Sequence, residues 1–308
     1  MKRALFFLVG LCLIGTACTK DKTNYEAELD DSVSEHLGFK EAAKAEIGAY
    51  QISIEARNGV FYKGYNEIRL RITDTSSGET VDVSSVTFLP IMISAENEPT
   101  SCPHRYEMVY QPDSNYFSGY SVFTNQSTDH SSWVLYLDIQ IGSQNLSAEI
   151  EVPVEEQVNK NLSMTAFEGN DGEQYFIALI APQKPEVAEN DLIAGVYKYN
   201  KPSASPSGKF PDPSQFSYSI VNDYTLALDP RMPEPSMGNH SSPNNKDLTQ
   251  QDDGLYHGVV NYTMTGNWTL NLIMMNDKGR ILKGTKVPAD FTPGVEGVKS
   301  ELHIDILF

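Results

Sequence analysis

The chain has 308 residues, 40% of them hydrophobic, and a formal net charge of −18 from 41 acidic and 23 basic side chains. So acidic a surface excludes a phosphate-binding role, and nucleic acid is not an expected partner. The three cysteines, Cys12, Cys18 and Cys102, are too few for a disulfide framework, and the length suits two domains of ordinary size.

The amino terminus reads as a targeting segment. Lys2 and Arg3 precede an apolar run, residues 4–14, that is too short to span a bilayer. The run closes on Gly15-Thr16-Ala17-Cys18, which resembles a bacterial lipoprotein signal, although Gly15 stands where a leucine-like residue is usual. Residues 1–17 are therefore expected to be removed and Cys18 to be lipidated. A plain secretory signal cleaved near Ala17 is the alternative. Loss of Lys2 and Arg3 takes the mature chain from −18 to −20. More than one acyl chain on Cys18 gives stable anchoring, so the expected location is the bacterial envelope, at the outer membrane. Residues 18–38 are polar and acidic and read as a tether.

Residues 39–46 carry the one short helix the sequence predicts. Beyond them, residues 51–54, 66–72, 133–139 and 148–152 alternate apolar and polar side chains with the period of a strand. Turn compositions at 75–78, 113–115 and 142–143 separate them. Residues 174–180, 191–199, 224–228, 255–264, 268–275 and 302–308 repeat the pattern less regularly, interrupted by Pro/Ser/Asn-rich inserts at 201–215 and 230–251. Short strands spaced by turns predict an all-β chain of two antiparallel sandwiches, residues 39–158 and 159–308.

The two halves share a motif. Pro90-Ile91-Met92, Ser101-Cys102-Pro103-His104, Phe117-Ser118-Gly119 and Trp133-Val134-Leu135-Tyr136-Leu137 are matched in the second half. There the series is Pro230-Arg231-Met232, His240-Ser241-Ser242-Pro243, Tyr256-His257-Gly258 and Trp268-Thr269-Leu270-Asn271-Leu272. Trp133, Leu135 and Leu137 share one strand face, as do Trp268, Leu270 and Leu272, and both sets are expected in cores. Gly119 and Gly258 are expected at turns or bulges.

Taken together, Pro-x-Met, a polar loop, an aromatic-x-Gly and Gly-x-Trp-x-Leu-x-Leu resemble the YtkA-like family, which is related to FixH. The second copy matches better, with Pro230, Met232, Pro233, Met237-Gly238 and His240-Ser241. The first has Asn97 where Met237 aligns and Thr100 where His240 aligns. The resemblance implies immunoglobulin-like modules in an envelope protein and, for some relatives, copper handling. FixH-like proteins accompany respiratory oxidase assembly, but this chain has no transmembrane helix of the FixH sort.

Thioether and imidazole suit copper, so Met232, Met237 and His240 form one candidate metal set, with His257 and Met264 nearby. Met92, Cys102 and His104 form a weaker one. Against both stands a packing role, since methionine fills core gaps well. No His-Glu-x-x-His, nucleophile elbow, phosphate loop or dinucleotide motif occurs, and the carboxylate pairs Asp252-Asp253 and Glu155-Glu156 point apart on an extended chain; no enzyme is expected. Asn-x-Ser/Thr sequons at Asn125, Asn145, Asn161, Asn239, Asn261 and Asn267 read as chance in such a protein. Two functions remain: a lipid-anchored binding protein that handles copper, or a structural, protein-binding lipoprotein whose strand edges or insert 201–215 meet another envelope protein.

Overall fold

The computed structural model describes residues 38–94, 98–157 and 160–307. The signal, Cys18, most of the tether and Asn97 lie outside the described residues. Among the described residues all regular structure is strand, apart from one 3-10 turn at Pro213–Gln215.

The first half supplies β1 (Phe39–Ile47), β2 (Tyr50–Arg57), β3 (Phe61–Tyr62), β4 (Gly64–Asp74), β5 (Ser85–Ile93), β6 (Pro99–Ser101), β7 (Val109–Gln111), β8 (Tyr116–Phe123), β9 (Ser132–Ile141), β10 (Gln144–Val152) and β11 (Val154–Glu155). One antiparallel sheet has the order β1-β2-β4-β8-β7 and a second has β10-β9-β5-β6. The chain crosses between sheets after β4, back after β6, and again after β8. In these sheets, β2-β4-β8-β7 and β10-β9-β5 follow the A-B-E-D and G-F-C strand order of immunoglobulin-type sandwiches, with β1 added at the A edge and β6 at the C edge. Alternation builds the core. In β4, Asn66, Ile68, Leu70 and Ile72 point inward while Glu67, Arg69 and Arg71 point out. In β9, Trp133, Leu135, Leu137 and Ile139 meet them from the other sheet. Each such aliphatic side chain, fully buried, stabilises by about 1.5–3 kcal/mol.

The second half supplies β12 (Met164–Glu168), β13 (Gln174–Ala181), β14 (Glu189–Asn200), β15 (Ser217–Ile220), β16 (Thr225–Met232), β17 (His240–Ser241), β18 (Lys246–Gln250), β19 (Tyr256–Asn261), β20 (Asn267–Met275), β21 (Ile281–Lys283) and β22 (Leu302–Leu307). Here β12-β13-β14-β19-β18 repeats the first sheet, and β22, β20, β16 and β17 repeat the second. The two sheets are continuous because β18 pairs with both β19 and β16. A separate core forms from residues 175–306.

Residues 39–46 are an edge strand, not the predicted helix. The segment Phe39-Lys40-Glu41-Ala42-Ala43-Lys44-Ala45-Glu46 has strong helix formers. Tertiary context overrides them: β1 pairs along β2, with a bulge between Glu41 and Ala43, and Ala43, Ala45 and Ile47 pack on the core. Phe39 is pinned beneath the guanidinium of Arg69, 3.5 Å from the ring centre.

The halves meet across an aromatic seam. Val122, Tyr65 and Tyr120 from the first pack against Phe176, Ala178, Tyr197, Tyr199, Tyr218 and Ile220 from the second. Tyr120 stacks with Tyr65 at 5.7 Å and tilts against Tyr197 at 5.4 Å. The insert 201–215 folds back on the first half, where Phe210 meets Tyr136 edge-on at 5.7 Å.

Candidate functional site

The duplicated Pro-x-Met motif has the same geometry twice. Pro90 lies opposite Leu135 and Met92 opposite Trp133, while Pro230 lies opposite Leu270. On their other side Met92 faces Thr100 and Met232 faces His240. The proline marks a gap between two edge segments. Before Pro90 the strand bonds to 106–108, and after it to β6; before Pro230 it bonds to β18, and after it to β17. A residue without an N–H costs no ladder bond in such a gap. In the first copy the Pro90 carbonyl accepts the Ser101 hydroxyl at 2.6 Å.

Each candidate ligand is therefore already engaged in the fold. Met92 and Met232 are buried in the two cores. Met237 is half-buried against the second core. The His240 Nε2 lies 2.9 Å from the Thr263 hydroxyl, and its ring stands edge-on to Trp268 at 6.2 Å. His257 pairs with Asp253 at 2.9 Å, and Met264 gives its carbonyl to the Trp268 indole N–H. The second set thus comes together as a cross-strand pair, Met232 and His240, with Met237 on the loop between them.

In the first set, Met92 and Cys102 belong to one core, and Cys102 and His104 each have a hydrogen-bond partner outside the set's side chains. Cys102 is fully buried, its Sγ 3.2 Å from the Ser121 hydroxyl, and burial pushes the thiol up to about 12. At neutral pH it is a protonated core group. His104 donates from Nδ1 to the Cys102 carbonyl at 2.7 Å and sits among Phe88, Tyr106 and Tyr218. Burial holds it neutral, down to about 4. Among the described residues no three His, Cys, Asp or Glu side chains are grouped to hold a metal ion.

No family model matches the chain, and no curated relative matches it. Similar solved structures include a DUF4785 family protein from Legionella pneumophila, at 8% identity and a TM-score of 0.25 over 77% of this chain and 56% of that one. Another, named pT26-6p, has 10% identity and a TM-score of 0.23 over 84% of this chain and 65% of that one. The chain spans less than two thirds of either. At these scores the likeness carries no argument.

Two features escaped the sequence motifs. Asn66 and Asn190 are buried at equivalent places. Each side chain accepts one N–H and donates to two carbonyls of the preceding bend, Tyr62 and Gly64 in one half and Glu186 and Ala188 in the other. Both stand two residues before the partner of the motif glycine, Ile68 opposite Gly119 and Leu192 opposite Gly258. The second feature is the connection between β20 and β22, residues 276–301, where the first half needs only Gly142 and Ser143 to join β9 to β10. The sequons have structural work as well. Asn161 and Asn239 are buried, and Asn161 donates to the Pro182 and Gln183 carbonyls.

Proposed function

We propose that this chain is a lipid-anchored protein-binding module of the bacterial envelope, held through Cys18 and the tether 18–38, with two immunoglobulin-like domains at 39–158 and 159–308. The recurring strand order and the resemblance to YtkA-like modules support the domain reading. The observation that carries the functional reading is the use of the reactive side chains. Met92, Met232, Cys102 and His104 are all consumed by packing, which leaves edges and loops as the working surface. One such edge is β7, the end strand of its sheet, where Val109 and Tyr110 are exposed. An unpaired edge accepts an extended segment of another protein.

The test is capture of a stoichiometric partner from native envelopes, indifferent to added copper and lost in Val109→Lys/Tyr110→Lys. Absence of such a partner counts against the reading. Mass measurement of the mature amino terminus tests acylation of Cys18 separately.

A copper-handling role is the second reading, favoured by the Met232–His240 cross-strand pair with Met237 between them. Anaerobic Cu(I) titration against a competing chelator decides it. Equal, weak binding by wild type and Met237→Ala/His240→Ala removes the metal role.

A further inference from the structure

The connection 276–301 is a graft on the sandwich, since the same strand pair closes with two residues in the first half. Connections of such length in a compact domain are generally functional. This one is unlike the rest of the chain in charge and in exposure. Residues 278–289 hold Lys278, Arg280, Lys283 and Lys286 and no carboxylate, so the connection as a whole is +1, with Lys299 against Asp277, Asp290, Glu296 and Glu301, in a chain of −18. Further along, Phe291, Val295 and Val298 are 45%, 55% and 62% exposed, and Ile281 is 46% exposed. These are four of the eight exposed large hydrophobic side chains among the described residues.

The connection is exposed at its tip, where the Phe291 ring lies beside Gly238, and fixed at its base. Residues 288–296 are exposed throughout, and the tip closes in a turn with the Val295 N–H on the Thr292 carbonyl. Its base is fixed on both limbs. Asn239 donates to the Pro288 carbonyl at 3.1 Å, the Gly297 N–H reaches the Pro233 carbonyl at 2.7 Å, and Ser300 donates to the Leu272 carbonyl at 3.0 Å. An exposed apolar tip on a fixed base, next to a basic limb, matches an anionic bilayer, where cations meet headgroups and apolar side chains enter the boundary below them.

We propose that residues 276–301 form a membrane-docking surface, with Lys278, Arg280, Lys283 and Lys286 on anionic lipid headgroups and Phe291, Val295 and Val298 inserted at the headgroup–acyl boundary. The inference rests on the reading of the chain as membrane-tethered. Twenty residues, 18–37, precede the described fold, and an extended reach of roughly 70 Å lets the body lie down on the bilayer that holds it.

The experiment uses acyl-free protein beginning at residue 19, which keeps every described residue. It is sedimented with phosphatidylcholine vesicles and with vesicles that also contain phosphatidylglycerol. Binding is expected on the anionic vesicles, weakened about ten-fold by Lys278→Gln/Arg280→Gln/Lys283→Gln/Lys286→Gln and about ten-fold by Phe291→Ser/Val295→Ser/Val298→Ser. A polarity-sensitive dye on Val295→Cys should shift to the blue on the same vesicles, while buried Cys102 stays unlabelled. Absence of binding, binding that neither set weakens, or an unshifted dye overturns the proposal. Acylation of Cys18 is read separately by mass. An acylated protein whose body ignores vesicles sinks the docking surface alone, and vesicle binding by a chain without acylation sinks the tether alone.

Discussion

At the residue scale, two buried asparagines hold equivalent bends of the fold. Asn66 and Asn190 each satisfy three backbone groups at the start of equivalent strands, in places where no water is needed. A buried polar side chain is stable only with such complete partnership, and its removal strands the groups it served. Asn66→Ala and Asn190→Ala should each lower unfolding stability by about 2 kcal/mol, read as an earlier urea midpoint with unchanged slope. Aspartate at either place should do no better, because it cannot donate to the two carbonyls. Sequence comparison could not see this pair. Their offset, 190 − 66 = 124, differs from the 140 that relates Pro90 to Pro230, because the intervening connections differ in length. The tryptophans and the Pro-x-Met triplets were legible because short strands carry them in fixed register. What the sequence could not say is that Met92 and Met232 point into the cores, since a strand end beside a polar loop has the same composition whichever way the thioether turns.

At the element scale, the motif glycines show how the copies diverged. Neither lies at a turn. Gly119 sits in unbroken register opposite Ile68 of β4, one residue past the end of the β7 ladder, and a Cβ there would meet the flexible end of Met108 at 3.2 Å. Gly258 lies opposite the bulge of β18, where a Cβ would come within 2.6 Å of the Lys246 carbonyl and 2.9 Å of Leu248. A thioether tip can rotate away; a ladder carbonyl cannot. Gly119→Ala should therefore cost below about 1 kcal/mol and Gly258→Ala about 3 kcal/mol, measured side by side by thermal and urea unfolding. Equal costs would mean that the bulge relaxes freely. The same scale holds the clearest misreading of the sequence. Residues 39–46 favour helix by composition, and only pairing with β2 and the cover of Phe39 by Arg69 make them a strand. Those partners are far away in sequence, so no local window contains the information.

At the scale of the whole molecule, the aromatic seam decides whether the halves move as one body. Its one defect is the Tyr197 hydroxyl, which is buried without a partner among Tyr65, Tyr120 and Arg105. Removing an orphaned hydroxyl removes its desolvation cost, so Tyr197→Phe should raise stability by about 1 kcal/mol in urea unfolding. A loss instead would mean that a bound water serves the hydroxyl.

His104 couples the same seam to acid. Its imidazole lies against Phe88 and Tyr106 of its own half and Tyr218 of the other. Burial lowers its folded value from 6.5 to about 4, with the Cys102 carbonyl pulling weakly the other way. The unfolded chain therefore binds this proton more readily than the folded one. Stability from the neutral ring is complete above pH 6.5 and falls as pH drops towards 4, by up to about 3 kcal/mol in all. Since Tyr218 closes over the ring, the strain of a buried imidazolium falls on the contact between the halves. Urea midpoints between pH 7 and pH 4 should fall more steeply for wild type than for His104→Gln, which keeps an amide donor for the Cys102 carbonyl but has nothing to titrate. Carboxylates that titrate in the same window are common to both proteins and cancel in the difference. Parallel slopes would place the acid sensitivity of the molecule elsewhere than at the seam.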